Sequence, residues 1–136
     1  MLTQKAINDL AYRVVGCAIE VHKIMGPGLL ESVYQKCMLK ELKLNGINAV
    51  QQYRIPLLYK GEDLDSELII DILAEGSLVV ELKSVEKTLP IHKAQLLTYL
   101  KLAGKPKGLL INFNTENITA SLVPIVTDIF AALPKE

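Results

Sequence analysis

The sequence predicts an α/β fold, a mixed sheet flanked by helices, and three observations carry that expectation. Along the chain the periodicity runs helix, helix, three strands, helix, strand. The stretch Lys107–Phe113 is short and continuously apolar, as interior strands parallel to a neighbour are. The segment before it opens on Pro90 and stops at Gly104, so a helix links two strands and makes a right-handed crossover. With 136 residues, 50% of them hydrophobic and 22% charged, residues 1–136 are expected to form one domain. A chain of this size buries a core without needing a disulfide or a structural metal.

Each element has its own signal. Over residues 4–25, Ile7, Leu10, Val14, Ala18, Val21 and Met25 recur at helical spacing, Thr3 can cap the start, and Gly26-Pro27-Gly28 ends the run. A second helix is expected from about Leu30 to Leu44, burying Leu30, Val33, Tyr34, Cys37, Met38 and Leu42, and Asn45-Gly46 closes it. From Gln51 to Tyr59, Tyr53, Ile55, Leu57 and Tyr59 alternate with polar neighbours as in a half-buried strand, which Pro56 assigns to an edge or a bulge. Leu68–Leu73 and Leu78–Lys83 are apolar runs around a turn at Glu75-Gly76, hence a hairpin. In the tail a short strand is expected over Ile118–Leu122, then a helix after Pro124.

Composition removes several classes of function. Fifteen basic residues balance fifteen acidic ones, so the chain lacks the overall basic footprint of an avid nucleic-acid binder. Arg13 and Arg54 are its only arginines, too few for reading guanine through arginine forks. No apolar run approaches the ~20 residues of a bilayer span. The polar residues of the first segment break up any signal-peptide core, which gives the expectation of a cytoplasmic protein. Cys17 and Cys37 sit among apolar helix neighbours and read as free thiols, without ligand spacing for zinc. No glycine-rich loop stands between a strand and a helix, so a nucleotide-driven motor is disfavoured. Charge is nonetheless segregated. Seven acids and no bases lie between Glu62 and Glu81, whereas Lys83–Lys107 holds six lysines against one acid, Glu86. This reads either as two solvated faces or as a cation-binding acidic cluster beside a surface that tolerates phosphate.

The most informative residues are charges where packing wants none. Glu81 and Lys83 stand at i and i+2 of an apolar strand and share a face, and Asp71 interrupts the apolar partner strand. A lone buried charge is costly, so these groups form either a Glu81–Lys83 salt bridge or a carboxylate pair for a divalent cation with a lysine beside it. Loop length decides whether the carboxylates can meet. A two-residue turn at Glu75-Gly76 puts Asp71 opposite Val80 and away from Glu81, whereas a three-residue loop, Glu75-Gly76-Ser77, pairs Asp71 with Glu81. If the two carboxylates share a cation, an odd loop or a bulge is expected.

Asp71, nine residues, then Glu81-Leu82-Lys83 resembles the Asp…Glu-x-Lys signature of the PD-(D/E)XK nuclease superfamily, although Ile70 stands where a proline often precedes the first Asp. Gly28-Leu29-Leu30-Glu31-Ser32-Val33-Tyr34, preceded by Val21-His22 and Gly26-Pro27, resembles the signature of the GxxExxY family of small bacterial proteins. So do Val80–Lys87, Leu89–Lys101 and Leu109–Phe113, and the resemblance spans about residues 10 to 114.

The resemblance implies a restriction-endonuclease-like αβββαβ core and a metal-dependent nuclease that hydrolyses DNA phosphodiester bonds. It implies that Asp71 and Glu81 hold Mg²⁺ or Mn²⁺, that Lys83 orients water or stabilises the phosphate, and that Glu31 and Gln95 assist as further catalytic groups. Simpler roles stay open: Glu31 as a favourable helix-start charge, Gln95 as a solvent-facing residue, Tyr34 as core, and His22 and His92 as surface histidines. The rival reading is a non-catalytic nucleic-acid or protein-binding module on a nuclease scaffold. A third is a hydrolase of smaller phosphoesters. Expected partners are nucleic acid, held weakly, and a homodimer mate or partner protein that completes the surface.

Overall fold

The computed structural model describes all 136 residues. Its elements are α1 (Gln4–Met25), α2 (Glu31–Leu44), β1 (Ala49–Tyr59), β2 (Glu62–Ala74), β3 (Leu78–Lys83), α3 (Pro90–Ala103), β4 (Lys107–Asn112), α4 (Ile118–Ser121), β5 (Val123–Val126) and α5 (Asp128–Ala132). The five strands form one sheet in the order β1-β2-β3-β4-β5, antiparallel except for the parallel pair β3/β4. The mixed α/β architecture expected from the sequence is therefore the observed one. No helix is long and apolar enough to cross a membrane.

The helix boundaries follow their capping chemistry. The Thr3 hydroxyl accepts the Ala6 N–H at 3.0 Å, and Gly26, at φ 71°, donates to the His22 carbonyl at the other end of α1. Pro90 opens α3, where its missing N–H costs nothing, and Gly104 closes it in the left-handed conformation. The first-turn N–H groups of Gln4 and Lys5 are satisfied from far along the chain, by the carbonyls of Pro134 and Lys135.

Helices cover both faces of the sheet. On one face, Val14, Ala18 and Val21 of α1 and Tyr34, Met38 and Leu42 of α2 pack on Ile72, Val80, Leu82, Leu109 and Phe113. Tyr34 stacks on Phe113 with ring centroids 4.4 Å apart. On the other face, Leu96 and Leu100 of α3 meet Val79, Leu110, Leu73 and Ile55. Gly108 of β4 lets α3 come close, because a Cβ there would stand 3.0 Å from Leu96 Cδ1 and 3.2 Å from Leu100 Cδ2. β3 is buried on both sides up to Lys83, which is why its sequence reads as an unbroken apolar run. Pro56 lies in edge strand β1, where the ladder shifts register between Pro56 and Leu58.

Some segments depart from the sequence expectation. β2 begins at Glu62 rather than Leu68, joined to β1 by a two-residue turn, Lys60-Gly61, with positive φ at both positions. The acidic stretch Glu62–Glu67 is thus exposed strand, spread along a ribbon, and no group of three or more Asp, Glu, His or Cys side chains converges to hold a metal ion. Ile118–Ser121 is a helical turn capped by Asn117, not a strand, and the strand follows at Val123–Val126. Leu30, expected in the core, is 73% exposed at the start of α2, and Met25 is also exposed.

Candidate active site at the fork of two strands

The β2–β3 hairpin turns through the three-residue loop Glu75-Gly76-Ser77, with Ala74 opposite Leu78. That register continues through Ile72 opposite Val80 and then stops, while β3 goes on pairing with β4 as far as Lys83. The β1–β2 ladder also skips the position opposite Asp71, where Gln52 adopts φ 49°. Asp71 and Glu81 are the next residues in register beyond the last β2–β3 pair. They occupy the point at which the strands separate.

Here carboxylates take over from the ladder. The Asp71 N–H donates to Glu81 Oε1 at 3.0 Å, and the Leu82 N–H donates to Asp71 Oδ2 at 2.8 Å. Each carboxyl thus satisfies a backbone amide that the parting strands would leave unpaired. The side chains converge, as the odd loop length requires.

Glu81 is 7% exposed, the only Asp, Glu, Lys, Arg or His in the buried class. Its pKa is pushed up to about 8, first by burial and then by the negative charge of Asp71. The Asp71 amide and the Lys83 ammonium pull in the opposite direction without prevailing. Lys83 is half-buried on the same face of β3 and makes no ion pair with Glu81. The chain's ion pairs are Lys5–Asp9 at 2.6 Å and Arg54–Glu67 at 3.9 Å. The salt-bridge alternative for Glu81 and Lys83 is therefore not the arrangement adopted.

The raised pKa of Glu81 marks a place where positive charge is wanted and Lys83 alone does not supply enough. Two carboxylates suit a small hard cation such as Mg²⁺, which is commonly held by one or two carboxylates, with waters and substrate phosphates filling the other positions. The donor set therefore fits the cation that the sequence resemblance implies.

None of the other candidate residues hydrogen-bonds to this pair. Glu31 is exposed in the first turn of α2, where its charge favours the helix start. The turn leading to it is tied to the site's strand, because Ser84, next to Lys83, donates its hydroxyl to the Leu29 carbonyl. Tyr34 is fully buried, and its hydroxyl accepts the Leu29 N–H at 3.1 Å and donates to the Gly26 carbonyl. The Tyr34 hydroxyl thus clasps the turn before α2, in which Gly28 adopts φ 97°, and Glu31 takes no part in the clasp. Gln95 is exposed on α3 and donates to the Tyr99 hydroxyl at 3.2 Å. His92 Nδ1 accepts the Leu89 N–H at 3.0 Å and closes the start of α3, and His22 Nε2 lies 2.6 Å from the Thr115 carbonyl.

One positioning residue escaped the sequence reading. Asn112, 3% exposed, lies beside Lys83 in the β3–β4 register. Its Oδ1 accepts the Val85 N–H and its Nδ2 donates to the Val85 carbonyl, which locks the loop that leaves β3 after Lys83. The signal was available: Asn112 is the one polar side chain in the run Leu109–Phe113.

A family model described as the PD-(D/E)XK nuclease superfamily matches residues 8–123. Comparison with curated proteins and with solved structures gives no significant match.

Proposed function

The chain belongs to the PD-(D/E)XK nuclease superfamily, and on that premise we propose that it is a GxxExxY-type, divalent-metal-dependent nuclease that hydrolyses DNA phosphodiester bonds at the β2–β3 fork. The observation that carries this reading is the convergence of Asp71 and Glu81 where the strands separate, with a lysine two residues on.

In this reading Asp71 and Glu81 hold Mg²⁺ or Mn²⁺. When bound, the cation supplies Lewis-acid activation of water and neutralises charge on the scissile phosphodiester. Lys83, projecting from the same face of β3, orients the attacking water or donates to the oxygens that gain charge as the bond breaks. Asn112 and Ser84 hold the loop behind Lys83 and thereby its approach. Gln95 on α3 positions the nucleophile or the substrate, and Glu31 assists from the start of α2. The balanced net charge implies a weak grip on nucleic acid, steeply reduced by salt.

The same balance also favours a second reading, a binding module that kept the scaffold without the chemistry. Three proteins separate the two: wild type, Asp71→Ala and Lys83→Ala, each followed by Mg²⁺ and Mn²⁺ calorimetry and by plasmid nicking. Asp71→Ala should lose metal binding and cleavage together. Lys83→Ala should keep or tighten metal binding while losing on the order of a hundredfold or more in rate, the scale of one preorganised electrostatic group. A wild-type protein that binds neither cation at millimolar concentration and leaves plasmid intact would end the nuclease reading.

A further inference from the structure

A cavity of about 300 Å³ opens at the carboxyl ends of β3 and β4, outside the carboxylate fork. Its lining includes Lys87 and Thr88 from the loop after β3, Lys93 from α3, and Asn112 from β4. Glu86 lines it too, so two cations face one anion. Neither lysine belongs to an ion pair of the chain. In open α/β sheets the crevice beyond the carboxyl ends of parallel strands is where ligands settle.

The cavity's position relative to the fork is fixed by the sheet. Asn112 is the partner of Lys83 across the parallel β3–β4 ladder, and such partners present their side chains on the same face. Val79 of β3 and Leu110 of β4 show which face this is, since both pack against α3. The cavity wall is therefore one strand spacing, roughly 4.8 Å, from the lysine of the fork. A nucleic-acid strand with its scissile phosphate at Asp71, Glu81 and Lys83, running across the sheet toward β4, would bring its next phosphate to this wall.

We propose that this cavity is a phosphate subsite, in which Lys87 and Lys93 take the backbone phosphate next to the scissile one. The inference rests on the nuclease reading for the identity of its ligand. It accounts for how a chain of zero net charge could hold nucleic acid: two lysines that belong to no ion pair would meet the backbone beside the fork.

The test is fluorescence anisotropy of a labelled oligonucleotide, in chelator, from 50 to 200 mM salt. It compares wild type with a Lys87→Ala/Lys93→Ala double variant. A Lys36→Ala/Lys40→Ala variant on α2 removes the same charge from the opposite face of the sheet. The first pair should weaken binding about tenfold and reduce the salt slope by about 1, the loss of one phosphate contact. The α2 pair should bind like wild type. Equal losses in both variants would overturn the subsite in favour of diffuse attraction, and so would unchanged binding in the first pair. Either result leaves the nuclease reading standing wherever wild type binds Mg²⁺ and nicks plasmid. Failure of wild type in those two assays, with the lysine effect intact, would remove the nuclease reading and keep the phosphate site.

Discussion

Replacing Glu81 by Gln should make the metal-free protein less sensitive to pH, and the structure sets both the sign and the scale. A glutamate in the unfolded chain titrates near 4.5, whereas burial and Asp71 raise Glu81 in the folded chain to about 8. Below pH 4.5 both states carry the proton and the fold has its full stability. Between 4.5 and 8 the unfolded chain has released a proton that the folded chain retains, so stability falls as pH rises. The slope from this one group is up to ~1.4 kcal/mol per pH unit. From pH 5 to pH 7 the loss approaches ~3 kcal/mol, on the order of 10 °C in melting temperature for a chain of this length. Glutamine does not titrate, its carbonyl can still accept the Asp71 N–H, and its amide can donate to Asp71. The assay is thermal melting of wild type and Glu81→Gln in chelator, read as the difference between the two across pH. The wild-type curve should drop relative to the variant as pH rises. Adding millimolar Mg²⁺ should reverse the trend for wild type alone, since binding needs the deprotonated pair. Parallel curves from pH 5 to 7 would refute the placement of a protonated, buried Glu81.

Two further substitutions probe what holds the site in place. Tyr34→Phe removes the hydroxyl that links Leu29 N–H to the Gly26 carbonyl. It should cost about 1–3 kcal/mol by chemical denaturation, with faster hydrogen exchange at the Leu29 amide than elsewhere. Gly108→Ala puts a methyl against Leu96 and Leu100, and overpacking of this kind should lower stability by about 1–3 kcal/mol in denaturant melts.

The helices and the central strands were legible because their signals are local. Thr3, Gly26, Pro90 and Gly104 each mark a terminus by their own chemistry, and the runs around Val79 and Leu110 announce strands covered on both faces. The half of β2 that was missed lies where neither face is covered. Without a burial pattern, nothing in Glu62–Glu67 marks a strand and only its acidic charge stands out, yet it pairs with β1. Ile118–Ser121 misled for the opposite reason: four residues are too few for period to separate strand from helix, and Asn117 decided the matter by capping. For the carboxylate pair, counting residues left a two-residue and a three-residue loop open, and because strand register is discrete only the observed loop Glu75–Ser77 brings Asp71 and Glu81 together. The settings of Glu31 and Gln95 depend on how α2 and α3 lie on the sheet, which spacing along the chain does not encode.

The fork also asks the same two residues to meet two demands, closing the backbone where the strands part and presenting carboxyls to a ligand. Apolar side chains at positions 71 and 81 would remove the repulsion between two carboxyls but would leave the backbone amides of residues 71 and 82 without acceptors, at about 1–3 kcal/mol each. Selection for thermal robustness and selection for what the pair does would therefore both act on these two positions. An engineer seeking a sturdier version of this chain should leave the fork untouched. The better place to work is the exposed β1–β2 ribbon, where Leu58, Tyr59 and Leu64 face solvent and contribute little to the core.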